Sequence, residues 1–326
     1  MAKAKLASRR HYAALWQFLL GLCILCSAGA GRSFAQGFSI GADASNYALL
    51  FEGAGANTLQ ITNVTVIGNV GVGLTGKATD SGPSTVNGRF DFSAANSGQF
   101  SSNNAGNVIT GGVNYNVAAV TSALNAVNAL NASLGGLSGT NININGSMTI
   151  SAGAGISDGK GDRVFNVTGF NTTNSDQLKI QGDAAGDKVI FNFIGVNANF
   201  NNQVVLTGGL NADDVLWNFV GGSNLTGGPT LQINDNASSN AKNQVQGIFL
   251  DPNGAISITN ANVHGRVFGG DTHDFQYVSG ATISQPSAIP EPSSIMLVGF
   301  GGVGLAAVLA RRRRALVAFT HAKINS

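Results

Sequence analysis

From Gln36 to Ala288 the apolar residues of this chain come in short runs, and most runs are bounded by glycine or asparagine. Examples are Leu59-Gln60-Ile61-Thr62, Val64–Ile67, Ile142-Asn143-Ile144, Met148-Thr149-Ile150, Val189–Ile194, Val215–Val220 and Ile256-Ser257-Ile258. Runs of this length with alternating character are strands. Gly and Asn tolerate the positive φ of tight corners. Short strands with such frequent corners fit a β-sandwich or a β-solenoid. Two features favour the solenoid: the runs recur without clear two-residue hairpin signals, and a coil stacked on its neighbours buries a Val/Ile/Leu/Phe ladder continuously. No fixed repeat length is present, so the expected solenoid is irregular.

One segment breaks the pattern. Tyr115 to Leu137 carries Val120, Leu124, Val127, Leu130, Leu134 and Leu137 at spacings of three and four, with alanines between them and Gly135-Gly136 at the end. This reads as one amphipathic helix over about 115–137. Its apolar stripe must cover something, most simply a flank of the β body. A membrane-surface helix would carry Lys and Arg on its polar face, and this one does not.

The ends of the chain concern location. Lys3, Lys5, Arg9 and Arg10 precede an apolar stretch from Ala13 to Ala28, and Ser33-Phe34-Ala35 offers the small residues that a signal peptidase reads. Residues 1–35 therefore read as a signal peptide, cut between Ala35 and Gln36. At the other end stand Ile289-Pro290-Glu291-Pro292-Ser293-Ser294, then an uncharged run from Ile295 to Ala310, then Arg311-Arg312-Arg313-Arg314. As a helix the 16-residue run rises about 24 Å, against about 30 Å of bilayer core, so it is a short transmembrane segment. Arg311 to Arg314 stop it on the cytoplasmic side and make 311–326 a basic cytoplasmic tail. Pro290 and Pro292 keep 289–294 extended.

Between the two processing segments the domain 36–288 holds eight lysines and arginines against fifteen aspartates and glutamates, a formal charge of −7. Its basic residues are scattered, which disfavours nucleic acid as a partner. Both cysteines, Cys23 and Cys26, precede Gln36, so the exported domain has no disulfide and no thiol chemistry.

The Pro290-Glu291-Pro292 triplet, the Gly-rich apolar segment and the arginine cluster together resemble a PEP-CTERM sorting signal. That resemblance implies processing near the motif by an exosortase, a membrane cysteine transpeptidase, and delivery to the cell surface or its extracellular matrix. The domain itself shows, in order, Tyr47–Leu50, Thr65–Gly73, one long helix, Asp187–Phe193, Asp214–Phe219, Val245–Leu250 and Val263–Gly270. This order resembles the choice-of-anchor A domain of bacterial surface proteins and is similar to the ice-binding-like adhesin fold. The resemblance implies a mainly β, right-handed β-solenoid with the helix packed alongside. It implies no known enzymatic activity.

The chemistry-bearing residues point the same way. His264, Asp271, His273 and Asp274 form the one cluster with acid–base or metal-binding potential, and polar corner residues explain it more simply. Asp158-Gly159-Lys160-Gly161-Asp162, Asp183 and Asp187 lack the alternating ligand set of a calcium loop. No Gly-x-Ser-x-Gly, phosphate loop or dinucleotide fingerprint opens a helix. Thr62, Thr65, Thr149, Thr207 and Thr259 do not form a Thr-x-Thr array. The expected protein is a non-enzymatic, cofactor-free surface or matrix protein, processed by signal peptidase and exosortase. It is held in the membrane as a precursor and contacts extracellular polysaccharide or other surface proteins. The alternatives are a polysaccharide-active enzyme on a solenoid and an ice-binding protein.

Overall fold

The computed structural model describes residues 37–53, 57–94, 99–184, 186–220, 231–235, 244–270 and 274–286, all within one compact unit. Ala35, Gln36, the sorting motif, the apolar run Ile295–Ala310 and Arg311 to Arg314 lie outside these residues. Among the described residues no helix is long and apolar enough to cross a membrane.

The described chain is mainly β with one α-helix, and its strands pair in parallel except for Ile156–Ser157, which runs antiparallel to Asp162–Asn171. The chain winds around three faces. The first carries, side by side, Val113–Asn114, Phe90–Phe92, Asn69–Val72, Tyr47–Phe51, Asn262–Gly269, Gln244–Asp251, Val215–Val220, Lys188–Ile194, Asp162–Asn171 and Thr140–Asn145. The second carries Ala198–Phe200, Leu231–Asn234, Ile256–Thr259, Phe275–Val278, Thr58–Thr62, Lys77–Asp80 and Phe100–Ser102. The third includes Met148–Ser151, Gln177–Gln181 and Gln203–Thr207, and further along Thr282–Ser284, Thr65–Ile67, Thr85–Asn87 and Val108–Ile109. Gln244–Asp251 and Asn262–Gly269 are long enough to serve two faces, and they bend at Gly247 and Gly265 (φ 132° and 153°). A Cβ on Gly265 would lie 1.8 Å from the Gly247 carbonyl oxygen, so the corner is built for glycine.

The spatial order of strands is not the chain order. The first coil, at Tyr47–Phe51, sits in the middle of the stack. The next coils build outward from it toward Val113–Asn114. The helix Ala118–Gly135 then carries the chain back across the first face: the Val117 amide donates to the Phe92 carbonyl, and the Leu134 carbonyl accepts from Asn192. Those two strands are six strand spacings apart, about 29 Å, and 18 helical residues rise about 27 Å. From Thr140–Asn145 the remaining coils stack back until Leu49 pairs with Val267. The residue offset between stacked partners varies widely. It is 18 from Phe249 to Val267, 20 from Val70 to Phe90, 26 from Phe165 to Phe191 and 32 from Trp217 to Phe249. Corners of different length absorb the variation, which is why the sequence shows no fixed period.

The core lies inside the coil. In register across four strands, Phe165, Phe191, Trp217 and Phe249 stack with centroids 5.3, 4.5 and 6.0 Å apart, and the Trp217 indole N–H donates to the Gln246 carbonyl (2.9 Å). A second apolar layer lies outside the first face. There Val120, Ala123, Leu124, Val127 and Leu134 of the helix pack on Leu50, Val164, Ile190, Leu216, Ile248, Leu250 and Phe268. Leu130 and Leu137 pack at the margin of that layer, so the stripe covers a flank of the β body as expected.

The helix is three residues shorter at its start than the periodicity implies. Tyr115 still stacks on Phe92 (5.3 Å), and Asn116 turns the chain with φ 60° before donating its amide to Ala94. Sheet packing therefore holds the chain until Val117.

Asparagines fix where the helix sits. Asn166, Asn192 and Asn218 are register partners on the outer side of the first face. Asn192 donates to the Leu134 carbonyl (2.8 Å) and Asn218 donates to Asn192 (2.9 Å). Asn131 of the helix donates to Asn218 Oδ1 (2.7 Å) and to the Phe219 carbonyl (2.9 Å). These side chains supply partners to the final turns of the helix, where carbonyls lack intrahelical donors.

Candidate functional site

The second face is the candidate. No element covers it among the described residues, and parallel pairing aligns its side chains in rows. Leu231, Ile256, Phe275, Leu59 and Ala78 form one inward row and are fully or almost fully buried. One residue further on, the outward row reads Asn199, Gln232, Ser257, Gln276, Gln60, Thr79 and Ser101. A second outward row reads Asn234, Thr259, Val278 and Thr62. Successive members of a row are about 4.8 Å apart along the stack. Both rows are uncharged, and all but Val278 can donate and accept hydrogen bonds. Asn234 Nδ2 donates to Asn199 Oδ1 (3.2 Å), which braces one end of the face.

The two rows offer regularly spaced neutral hydrogen-bonding groups, and the exposed Lys77 stands beside them at the start of its strand. Such a surface can hold an ordered array of hydroxyls or water. The alternating spacing of Leu59-Gln60-Ile61-Thr62 and Ile256-Ser257-Ile258 was the signal for it. Only the register shows that their polar members share a row.

The residues with chemical potential are used structurally. His264 stands on the third face, its Nδ1 3.0 Å from the Ser284 hydroxyl, whereas Asp274 accepts from the Thr58 amide at the edge of the second face (2.8 Å). The two are therefore not gathered into one site, and Asp271 and His273 lie outside the described residues. Asp158 accepts from the amides of Lys160 and Asp162 and so closes its own turn. Asp187 accepts from the amides of Asp183 and Ala184, and Asp183 accepts from Ser151. The Ser151 hydroxyl and the Gly153 amide hold the Asp183 carboxyl below its ordinary range. Among the described residues no three His, Cys, Asp or Glu side chains converge as a metal site.

Buried ionisable groups sit in the body rather than on the open face. Asp91 accepts from Tyr47, Arg89 and Asn114. Tyr277 lies in the core with its hydroxyl donating to the Thr65 carbonyl (2.6 Å), and burial raises it well above an ordinary phenol. Asp214 is pushed up to about 6, chiefly by burial, against the opposing hydrogen bond from the Asn211 amide. Arg266 pairs with Asp213, whose carbonyl accepts from the Phe38 amide, so the start of the domain is tied to the 212–214 turn.

This architecture has relatives among solved structures. An ice-binding protein from the Antarctic ascomycete Antarctomyces psychrotrophicus is 14% identical, with 78% of this chain and 100% of that chain covered at a TM-score of 0.50. An ice-binding protein from an Arctic yeast, also 14% identical, covers 80% of this chain and 98% of its own at a TM-score of 0.47. At such identity the likeness speaks for the fold alone. No curated protein matches the chain in sequence. Residues 288–314 match the PEP-CTERM protein-sorting motif, which marks an exported, surface-associated protein. Residues 28–280 match the ice-binding-like adhesive domain, and the chain belongs to that family.

Proposed function

We propose that this protein is a non-enzymatic adhesion or scaffold module of the cell surface or extracellular matrix, and that its open second face holds a neutral polysaccharide. One observation carries the reading: an adhesive-domain body is followed directly by a PEP-CTERM motif. The charge-free outward rows support the partner class, because a neutral glycan presents hydroxyls and no charge. In this reading the coil is right-handed, the sense that parallel crossovers favour. Signal peptidase cuts between Ala35 and Gln36. The run Ile295–Ala310 spans the membrane, with Arg311, Arg312, Arg313 and Arg314 on the cytoplasmic side. An exosortase reads Pro290-Glu291-Pro292.

The test replaces Pro290, Glu291 and Pro292 with alanine in a host carrying the exosortase. The prolines keep the substrate backbone extended, while alanines allow helix to grow upstream. The wild type is expected to lose its C-terminal arginines by intact mass, and the variant to keep them and stay in the membrane fraction. Equal masses, both retaining the arginines, would sink the sorting reading. Finding the domain soluble in the cytoplasm would sink the surface reading as well.

Ice binding is the second reading, favoured by the likeness of the fold and by Thr62, Thr79 and Thr259 on the open face. Gln60, Gln232, Gln276 and Asn234 interrupt any threonine array there. Recrystallisation inhibition by the purified protein decides it, and none is expected.

A further inference from the structure

Asp251 ends the strand Gln244–Asp251 and alternates onto the same inner side as Phe249. It is fully buried, and no protein group bonds either carboxyl oxygen. Its own backbone carbonyl has two partners: the amides of Gly254 and Gly270 both donate to it, at 3.3 and 3.2 Å. Gly254 closes the turn over the side chain so tightly that a Cβ there would lie 2.2 and 2.3 Å from the two carboxyl oxygens. The next residue is Pro252, and Asp251-Pro252 is the only Asp-Pro pair in the chain. A carboxyl without partners, a carbonyl held by two amides and a proline leaving group thus meet at one peptide bond.

We propose that the Asp251–Pro252 bond is a self-cleavage site. A carboxyl oxygen of Asp251 attacks the Asp251 backbone carbonyl carbon and closes a five-membered cyclic anhydride. The bond to the Pro252 nitrogen breaks, and the carboxyl proton passes to that nitrogen, which leaves as a secondary amine. Water then opens the anhydride and restores Asp251 with a free α-carboxyl. No oxidant, reductant or metal is required. The Gly254 and Gly270 amides bind the oxyanion that forms on the carbonyl, as donor pairs do in acyl transfer. Holding the nucleophile on the same residue removes the cost of bringing reactants together. Burial raises Asp251 well above the ordinary carboxylate range, so the acid keeps the proton that the leaving nitrogen needs.

The cut would not dismantle the molecule. Ile256–Thr259, Asn262–Gly269, Phe275–Val278 and Thr282–Ser284 all follow it, and each is held in the sheets by its parallel neighbours. The body up to Asp251 would then be attached to the sorting segment only through strand pairing and packing.

The test incubates the purified, folded full-length chain between pH 5 and 9, followed by denaturing electrophoresis and mass spectrometry. Two fragments are expected, one ending at Asp251 and one beginning at Pro252, with cleavage slowing as alkali ionises the carboxyl. Hydroxylamine should trap the first fragment as a hydroxamate at Asp251. Asp251→Asn keeps the volume and should stop the reaction. Pro252→Ala keeps the acid and should slow it about tenfold or more, with circular dichroism confirming the fold of both variants. An intact wild-type chain at every pH would overturn the proposal. So would equal cleavage in urea, equal cleavage in Asp251→Asn, or cuts spread over several bonds.

Discussion

The helix-covered first face and the open second face are built from the same coils, share one aromatic and aliphatic core, and differ in their outer rows. Outside the first face one row reads Leu50, Phe268, Leu250, Asn218 and Asn192, and the next reads Arg266, Ile248, Leu216, Ile190 and Val164, so apart from Arg266 the outer rows are apolar or asparagine. Strands there are buried on both sides and read as near-continuous runs such as Tyr47–Phe51. On the open face the outer rows are polar and uncharged except for Val278 and, at the margin, Lys77, and strands such as Leu231–Asn234 alternate strictly. The difference shows that coil winding needs only the inner row. The outer row is free to carry either assembly, through the helix, or contact with the outside.

The covered face should therefore bear most of the stability, and the largest expected effect is at its centre. Trp217 is fully buried, stacks between Phe191 and Phe249 and donates to Gln246. Trp217→Ala should cost about 3–5 kcal/mol in chemical denaturation. A loss under 1 kcal/mol would mean that the stacked ring ladder is not the structural centre.

The next effect is smaller and concerns helix placement. Asn131→Ala removes the donor to Asn218 Oδ1 and the Phe219 carbonyl and leaves buried polar atoms without partners, a loss of about 1–3 kcal/mol. Combining it with Asn218→Ala should cost less than the sum of the single changes, because the two residues share one network. Strict additivity in the double-mutant cycle would show that the asparagines act separately.

These residues mark where the sequence was legible. The helix stripe from Val120 to Leu137 and the β-rich body could be read because local periodicity carries them. The discontinuous stacking could not be read, since Leu49 and Val267 pair across most of the domain and the coil offsets run from 18 to 32 residues. Nor could the roles of Asn192 and Asn218, which look like interruptions in apolar runs until the helix lies over them. The open face was half legible: Leu59–Thr62 and Ile256–Ile258 show Gln60 and Ser257 alternating with apolar residues, but only register places them in one row with Gln276.

A third effect separates the covered face from its margin. Asp214, beside the Asn211 turn, has its folded value raised from 3.8 to about 6 by burial. Its contribution is present in full below pH 3.8 and is lost as pH rises through about 6, so it favours the folded state in acid. Asp214→Asn should flatten that slope. The variant should match wild type near pH 4 and exceed it at pH 8 by on the order of 1 kcal/mol, discounted for partial screening. Thermal melts at the two values check it. A variant that weakens at pH 8 would mean that the ionised Asp214 stabilises the turn through its hydrogen bond from Asn211.

The smallest effect on stability should come from the open face, where the largest effect on binding is expected. Gln276 and Gln60 are neighbours in one outward row of the second face, flanked by Ser257 and Thr79. Replacing both with alanine removes hydrogen-bonding groups from the centre of the row without opening the core, so stability should shift by no more than about 0.5 kcal/mol per site. If the face holds a neutral polysaccharide, retention on such a matrix should fall in proportion to the groups removed. The equivalent change on the third face, Thr85→Ala with Asn87→Ala, should leave retention unchanged. Loss of retention in both pairs would point to binding spread over the whole solenoid surface. Loss of stability in the first pair would mean that the outer row helps hold the coils together, and the division between the two faces would fail.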